Sequence, residues 1–109
     1  MPGSPQRKQP KPAGSFHESK DYNTGKRSVY HEIEVPGRQS HEPHAIRAHA
    51  RETSTNQWQV RVHHGPHAEK DESGSYYKHV DEFSHTGPLS SLKPKLKRST
   101  SEQFKGLRS

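Results

Sequence analysis

The stretch Trp58 to Phe83, WQVRVHHGPHAEKDESGSYYKHVDEF, decides the fold. Trp58, Val60 and Val62 alternate with Gln59, Arg61 and His63, the period-two pattern of a strand with one buried face. His64-Gly65-Pro66 then supplies breakers, and the charged run Glu69 to Gly74 ends on a glycine, the composition of a solvated hairpin loop. The chain turns aromatic again at Tyr76 and Tyr77, followed by Val80 and Phe83. This segment reads either as a second strand or as a short helix with an i, i+4, i+7 stripe.

Upstream, Val29, His31, Ile33 and Val35 alternate with Tyr30, Glu32 and Glu34 and stop at Pro36-Gly37, which predicts another strand. Ile46, Ala48 and Ala50 alternate with Arg47, His49 and Arg51. They predict a third strand, with a short helix from Pro43 as its rival, because Ile46 and Ala50 also sit at i, i+4 and alanine favours helix. Arg51 to Gln57, dense in Ser, Thr and Asn, reads as the loop before Trp58. Short alternating segments separated by turn signals point to an all-β sandwich. Its core strands would be carried by Val29, Ile33, Val35, Ile46, Trp58, Val60 and Val62.

Composition bounds what surrounds these strands. With 109 residues, 23% hydrophobic and 28% charged, the chain has room for one domain with a small core and lies close to the disordered class. Charge is segregated: residues 1–27 carry +4, residues 28–85 carry −3 and residues 86–109 carry +5. Residues 1–27, holding four of the nine prolines, read as a disordered basic arm. Residues 86–109 form a second basic end, with a basic tail that includes Lys93-Pro94-Lys95-Leu96-Lys97-Arg98. Nine of the ten histidines fall in the acidic middle, so mild acidification could reverse its charge; plain polar surface is the other reading. Ser4-Pro5 has the form of a proline-directed kinase site, and Lys97-Arg98-Ser99-Thr100-Ser101 that of a basophilic one.

Chemistry is thin. There is no cysteine, which removes disulfides and thiolate ligands and fits a reducing compartment. His63, His64 and His67, with His79 or His85, could gather imidazoles around a transition metal, but their spacing follows no ligand rule and they read as polar loop. No phosphate loop, nucleophile elbow or paired-carboxylate constellation is present. The chain is expected to be a non-enzyme with no cofactor and no bound metal. No apolar h-region or spanning run occurs, so a cytoplasmic or nuclear protein without a membrane partner is expected.

The order of segments resembles the alpha-crystallin domain of the small heat-shock proteins. The resemblance runs through Ile33-Glu34-Val35, then Ser40-His41-Glu42-Pro43 with Ile46, Ala48 and Ala50, then Val60 to Lys70 (VRVHHGPHAEK), Asp71-Glu72-Ser73-Gly74 and Asp81-Glu82-Phe83. Leu89, Pro94, Leu96, Ser99 and Ser101 are similar to a later segment of the family. Asp81 replaces the family's arginine, Ser90 stands where a proline is usual, and the Ile-x-Ile tail is missing. The resemblance implies an immunoglobulin-like β-sandwich over residues 28–105, with residues 106–109 as a short tail. It implies an ATP-independent holdase, active or degenerate, that binds partly unfolded client proteins and forms homodimers or small homo-oligomers. The strand bearing Tyr76, Tyr77, Lys78, Val80 and Phe83 would be the dimer or client surface. Equally, Tyr76, Tyr77 and Phe83 could only pack a small core.

A second function class competes. A largely disordered basic protein could use Arg7, Lys8, Lys11, Lys26, Arg27 and Lys93-Pro94-Lys95-Leu96-Lys97-Arg98 to bind nucleic acid or an acidic protein surface such as a microtubule. Salt separates the two: polyanion binding weakens steeply with ionic strength, and client holding through apolar surface does not.

Overall fold

Alternation along the chain becomes alternation across one sheet. The computed structural model describes residues 14–39, 42–66 and 77–108. Among them, β1 (Gly14–Lys20), β2 (Arg27–Glu34), β3 (Ala45–Ser54), β4 (Gln57–Gly65) and β5 (Lys78–Thr86) are followed by α1 (Leu89–Arg108). Each strand pairs antiparallel with the next, so spatial order equals chain order.

Register carries the apolar residues into rows. Val29 faces Ala50, which faces Val60, which faces Phe83. In the next row His31 faces Ala48 and Ala48 faces Val62. Side chains two apart share a face, so one side of the sheet collects Val29, Ile33, Ile46, Ala48, Ala50, Trp58, Val60 and Val62, all buried. Leu92 and Leu96 of α1 complete this core. The helix lies over β3 and β2. There the short side chains of Ala48 and Ala50 leave room for it, and burying each leucine contributes about 2 kcal/mol.

The turns are local chemistry. Between β1 and β2, the Asp21 carboxylate accepts hydrogen bonds from the backbone N–H of Asn23 (2.7 Å) and Thr24 (3.2 Å), and Gly25 takes the left-handed φ of +75° that closes the loop. Between β3 and β4 the reversal falls on Thr55-Asn56, with Asn56 at φ +56°, a conformation asparagine tolerates. A bulge shifts the β3–β4 register between Glu52 and Ser54. A second, between Val62 and His63, leaves Val80 without an opposite residue. At the end of β4, a Cβ on Gly65 would lie 2.4 Å from the Tyr77 ring, so only glycine fits beneath that tyrosine.

The β-rich class expected from the sequence is present, but the architecture differs in three respects. The arm expected over residues 1–27 contains β1, because its Phe16 packs on the core and the Asp21 turn folds it against β2. The expected basic tail is α1. Its apolar residues repeat at helical spacing, so in the described residues the layer opposite the sheet is a helix and not the second sheet of an immunoglobulin-like sandwich. Residues 45–54 form the expected strand and not its rival helix, but β3 continues through most of the expected loop. Residues 78–86 likewise resolve to strand. The Ser4 site, His67, the loop 71–74 and Tyr76 lie outside the described residues.

Candidate nucleic-acid interface

Helix α1 sorts its side chains by period. Leu92, Leu96 and Thr100 are fully buried, and Leu89, Phe104 and Leu107 pack at the edge of the core. This stripe turns Arg98 and Lys105 away from the sheet, with Lys95 and Lys97 on the flanks. All four cations are exposed, and among the described residues none forms an ion pair. Glu102 is the lone carboxylate on the helix. Lys93 differs: its Nζ sits 2.9 Å from Glu18 Oε2 and 5.5 Å from the centre of the Phe16 ring. Pro94 is also exposed, as is Ser90, whose carbonyl loses the helix hydrogen bond that a non-proline residue would donate.

Polar contacts from the sheet fix the helix beneath those cations. The Trp58 indole N–H donates to the Gly87 carbonyl at 3.0 Å, just before the helix begins. His85 Nε2 lies 2.9 Å from Ser91 Oγ, and His31 Nδ1 lies 2.9 Å from Thr100 Oγ1. His64 Nε2 lies 3.0 Å from Gln103 Oε1. Burial holds the pKa of His31 and of His85 below the ordinary histidine value, and the nearby Lys97 and Lys95 add to the effect.

The uncovered face of the sheet also carries cations, but Arg47, Arg51 and Arg61 share it with Glu32, Glu34 and Glu82. Tyr30 is met from β1 by His17, whose ring stacks at 4.7 Å, and from β3 by the Arg47 guanidinium, 4.1 Å from the ring centre. Arg47 also pairs with Glu32 at 2.9 Å, and Arg61 with Glu82 at 3.2 Å. His79 lies 3.6 Å from the same Glu82 oxygen and 5.4 Å, ring to ring, from His63. His49 and His63 titrate below the usual histidine value, mainly through desolvation, with neighbouring arginines contributing. Arg51 is the exposed arginine of this face without a carboxylate partner among the described residues.

One further ionic group is structural. Buried Glu52 accepts hydrogen bonds from the backbone N–H of Arg27 (3.1 Å), from the Arg27 guanidinium (2.8 and 3.1 Å) and from the backbone N–H of Asn56 (3.1 Å). The Arg27 bond holds the Glu52 pKa down to about 2. The Arg27 guanidinium lies 5.0 Å from the Trp58 ring centre. Arg27, expected as a free basic-arm cation, is thus tied into the β3–β4 turn.

The sequence-predicted residues fall as follows. Val29, Ile33, Val35, Ile46, Trp58, Val60 and Val62 are all buried. Of the expected dimer or client surface, Val80 and Phe83 are half-buried against the core, while Lys78 and Tyr77 are exposed. Their strand, β5, is an edge of the sheet. The described imidazoles weighed as possible metal ligands do not converge, and they lie on β4 and β5, not in a polar loop: His64 and His85 turn to the helix side and His63 and His79 to the open side. Among the described residues no three His, Asp or Glu groups are placed to hold a metal ion. Thr100 of the basophilic kinase motif is fully buried. No described helix is long and apolar enough to cross a membrane. Comparison with protein-family models, with curated proteins and with solved structures finds no match.

Proposed function

We propose that this chain is a nucleic-acid-binding module whose outward helix face grips the phosphate backbone without reading base sequence. The observation that carries the reading is the set Lys95, Lys97, Arg98 and Lys105, exposed, without an ion-pair partner among the described residues and held on a helix buried along its other side. Unpaired cations release condensed counterions when they meet phosphate, and that release supplies affinity. Arg98 and Lys105 are two turns apart, roughly 10 Å along the axis, so several phosphates can be engaged together. The test is fluorescence anisotropy of a labelled single-stranded 20-mer against the full chain and against K95Q/K97Q/R98Q/K105Q. Weak, salt-sensitive binding that the variant loses supports the reading; equal binding by both proteins removes it. Polyglutamate serves as competitor. If it competes as well as the oligonucleotide at equal charge, the partner is an acidic protein surface instead.

A second reading keeps the chaperone activity and rests on β5 as an edge strand that carries Lys78, Val80 and Phe83. Edge strands can accept an added strand from a client or a second copy. An immunoglobulin-like sandwich would need a second sheet over the core face, where α1 lies. Against client capture through apolar surface, the described residues expose only Tyr22 and Tyr77 among large hydrophobic side chains. Suppression of client aggregation that persists at high salt would favour this second reading.

A further inference from the structure

We propose that α1 is a releasable element, latched to the sheet by neutral His31 and His85 and freed when mild acidification charges them. The geometry is paired. Thr100 Oγ1 donates its hydrogen to the Lys97 carbonyl at 3.0 Å, and Ser91 Oγ donates its own to the Pro88 carbonyl at 2.8 Å. Each hydroxyl oxygen is therefore left to accept, so His31 donates from Nδ1 and His85 from Nε2. That assigns one tautomer to each neutral ring and puts the bare nitrogen on its far side.

Protonation adds an N–H at that far nitrogen. For His31 it is Nε2, which is pressed against the backbone of Gly14, where an added Cβ would lie within 2.2 Å of it. For His85 it is Nδ1. Neither nitrogen has a hydrogen-bond acceptor among the described residues. The charge would also be poorly surrounded. His31, 3% exposed, faces Lys97 and Thr100 from α1, Gly14 and the Phe16 ring at 4.6 Å from β1, and Ala48 from β3. His85, 8% exposed, faces Ser91 and Lys95 from α1, Trp58 from β4 and Gly87 from the connecting loop. Two carboxylates on this side are spoken for, Glu18 by Lys93 and Glu52 by Arg27. A buried imidazolium with a lysine neighbour and no counter-ion is costly, and hydrating it requires the helix to lift.

The sign follows from linkage. Both rings titrate below the ordinary value of 6.5 when folded, so their contribution to docking is complete above that pH and is lost as pH falls below it. His64, bonded to Gln103, is a third tether between sheet and helix. His49 and His63 also have lowered values, but they lie on the open face, away from α1. This inference needs no ligand and does not depend on the nucleic-acid reading.

The test is NMR of the full chain from pH 7.5 to 5. It follows methyl contacts of Leu92 and Leu96 with the sheet, the β2–β4 amides, and the ring titrations of His31 and His85. The expected result is loss of the α1 contacts at a midpoint below 6.5 that coincides with both ring titrations, while the β2–β4 amides keep their positions. H49Q/H63Q should leave that midpoint in place. H31Q/H85Q should keep α1 docked at pH 5, a downward shift of at least about one pH unit. The inference is overturned if wild-type α1 stays docked at pH 5, if the sheet melts in the same step, or if H31Q/H85Q releases the helix at the wild-type pH. Should H31Q/H85Q not fold, the wild-type ring titrations decide alone: rings titrating at or above 6.5, or out of step with the contacts, overturn it.

Discussion

The two exposed faces of this molecule hold their cations differently. On the outer side of α1, Lys95, Lys97, Arg98 and Lys105 have no ion-pair partner among the described residues, whereas on the open sheet Arg47 and Arg61 are paired with Glu32 and Glu82. An arginine already neutralised by a carboxylate must break that pair before it can bind phosphate, and an unpaired lysine has only water and counterions to displace. Composition and pairing separate the faces together: the helix has one carboxylate, Glu102, and the open sheet has Glu32, Glu34 and Glu82 beside its three arginines. The difference arises because β-strands bring residues from distant sequence into register, while a helix presents its own neighbours. The tail segment is basic throughout, so its helix has almost no acid to pair with.

Removing what holds the helix face in place has the largest expected effect. Leu96→Ala should cost about 3 kcal/mol in denaturant unfolding, the scale of a large-to-small change at a fully buried site. It should weaken oligonucleotide binding without touching a cation. Glu52→Gln comes next, at about 2 kcal/mol, because the buried acceptor of the Arg27 and Asn56 hydrogen bonds loses its charge. The Glu52 pKa is depressed to about 2, so its contribution is present above the ordinary carboxylate value and is lost as pH falls toward 2. Acid unfolding of the wild type and of Glu52→Gln should therefore converge at low pH.

The comparison is sharpened by making the sheet resemble the helix. E32Q/E82Q frees Arg47 and Arg61 and should tighten oligonucleotide binding about tenfold at low salt. Its salt slope should steepen by roughly 1.4, as for two added phosphate contacts on a single strand. The smallest effect belongs to Arg61→Gln. Its pair with Glu82 is exposed on both sides, 55% and 43%, so unfolding should change by less than about 0.5 kcal/mol and binding should be unaltered. Lys97→Gln should be as neutral for stability but measurably weaker in binding.

Much of the sheet was legible in the sequence because alternation is a local signal. Val29 to Val35 and Trp58 to Val62 have one apolar side, and a strand buries it. Strand β1 was not legible, since Phe16 is its one large apolar residue and its place is made by pairing with β2. Helix α1 was hidden by Pro94 and by its Lys- and Ser-rich texture. The spacing Leu89, Leu92, Leu96, Thr100, Phe104, Leu107 is the signal that could have revealed it, with a threonine filling one apolar position. The candidate site was legible only as composition. Which cations remain free is settled by long-range partners: Glu52 takes Arg27 from 25 residues away and Glu18 takes Lys93 from 75. No reading of neighbours in sequence can assign those pairs.

The most direct test is the salt dependence of oligonucleotide binding, measured in parallel for the wild type, K95Q/K97Q/R98Q/K105Q and R47Q/R51Q/R61Q. Four phosphate contacts on a single strand predict a wild-type slope of log K against log salt near about −3. The helix variant should fall toward zero slope and the sheet variant should keep the wild-type value. A wild-type slope retained by the helix variant and lost by the sheet variant would contradict the account, and so would binding that does not respond to salt at all.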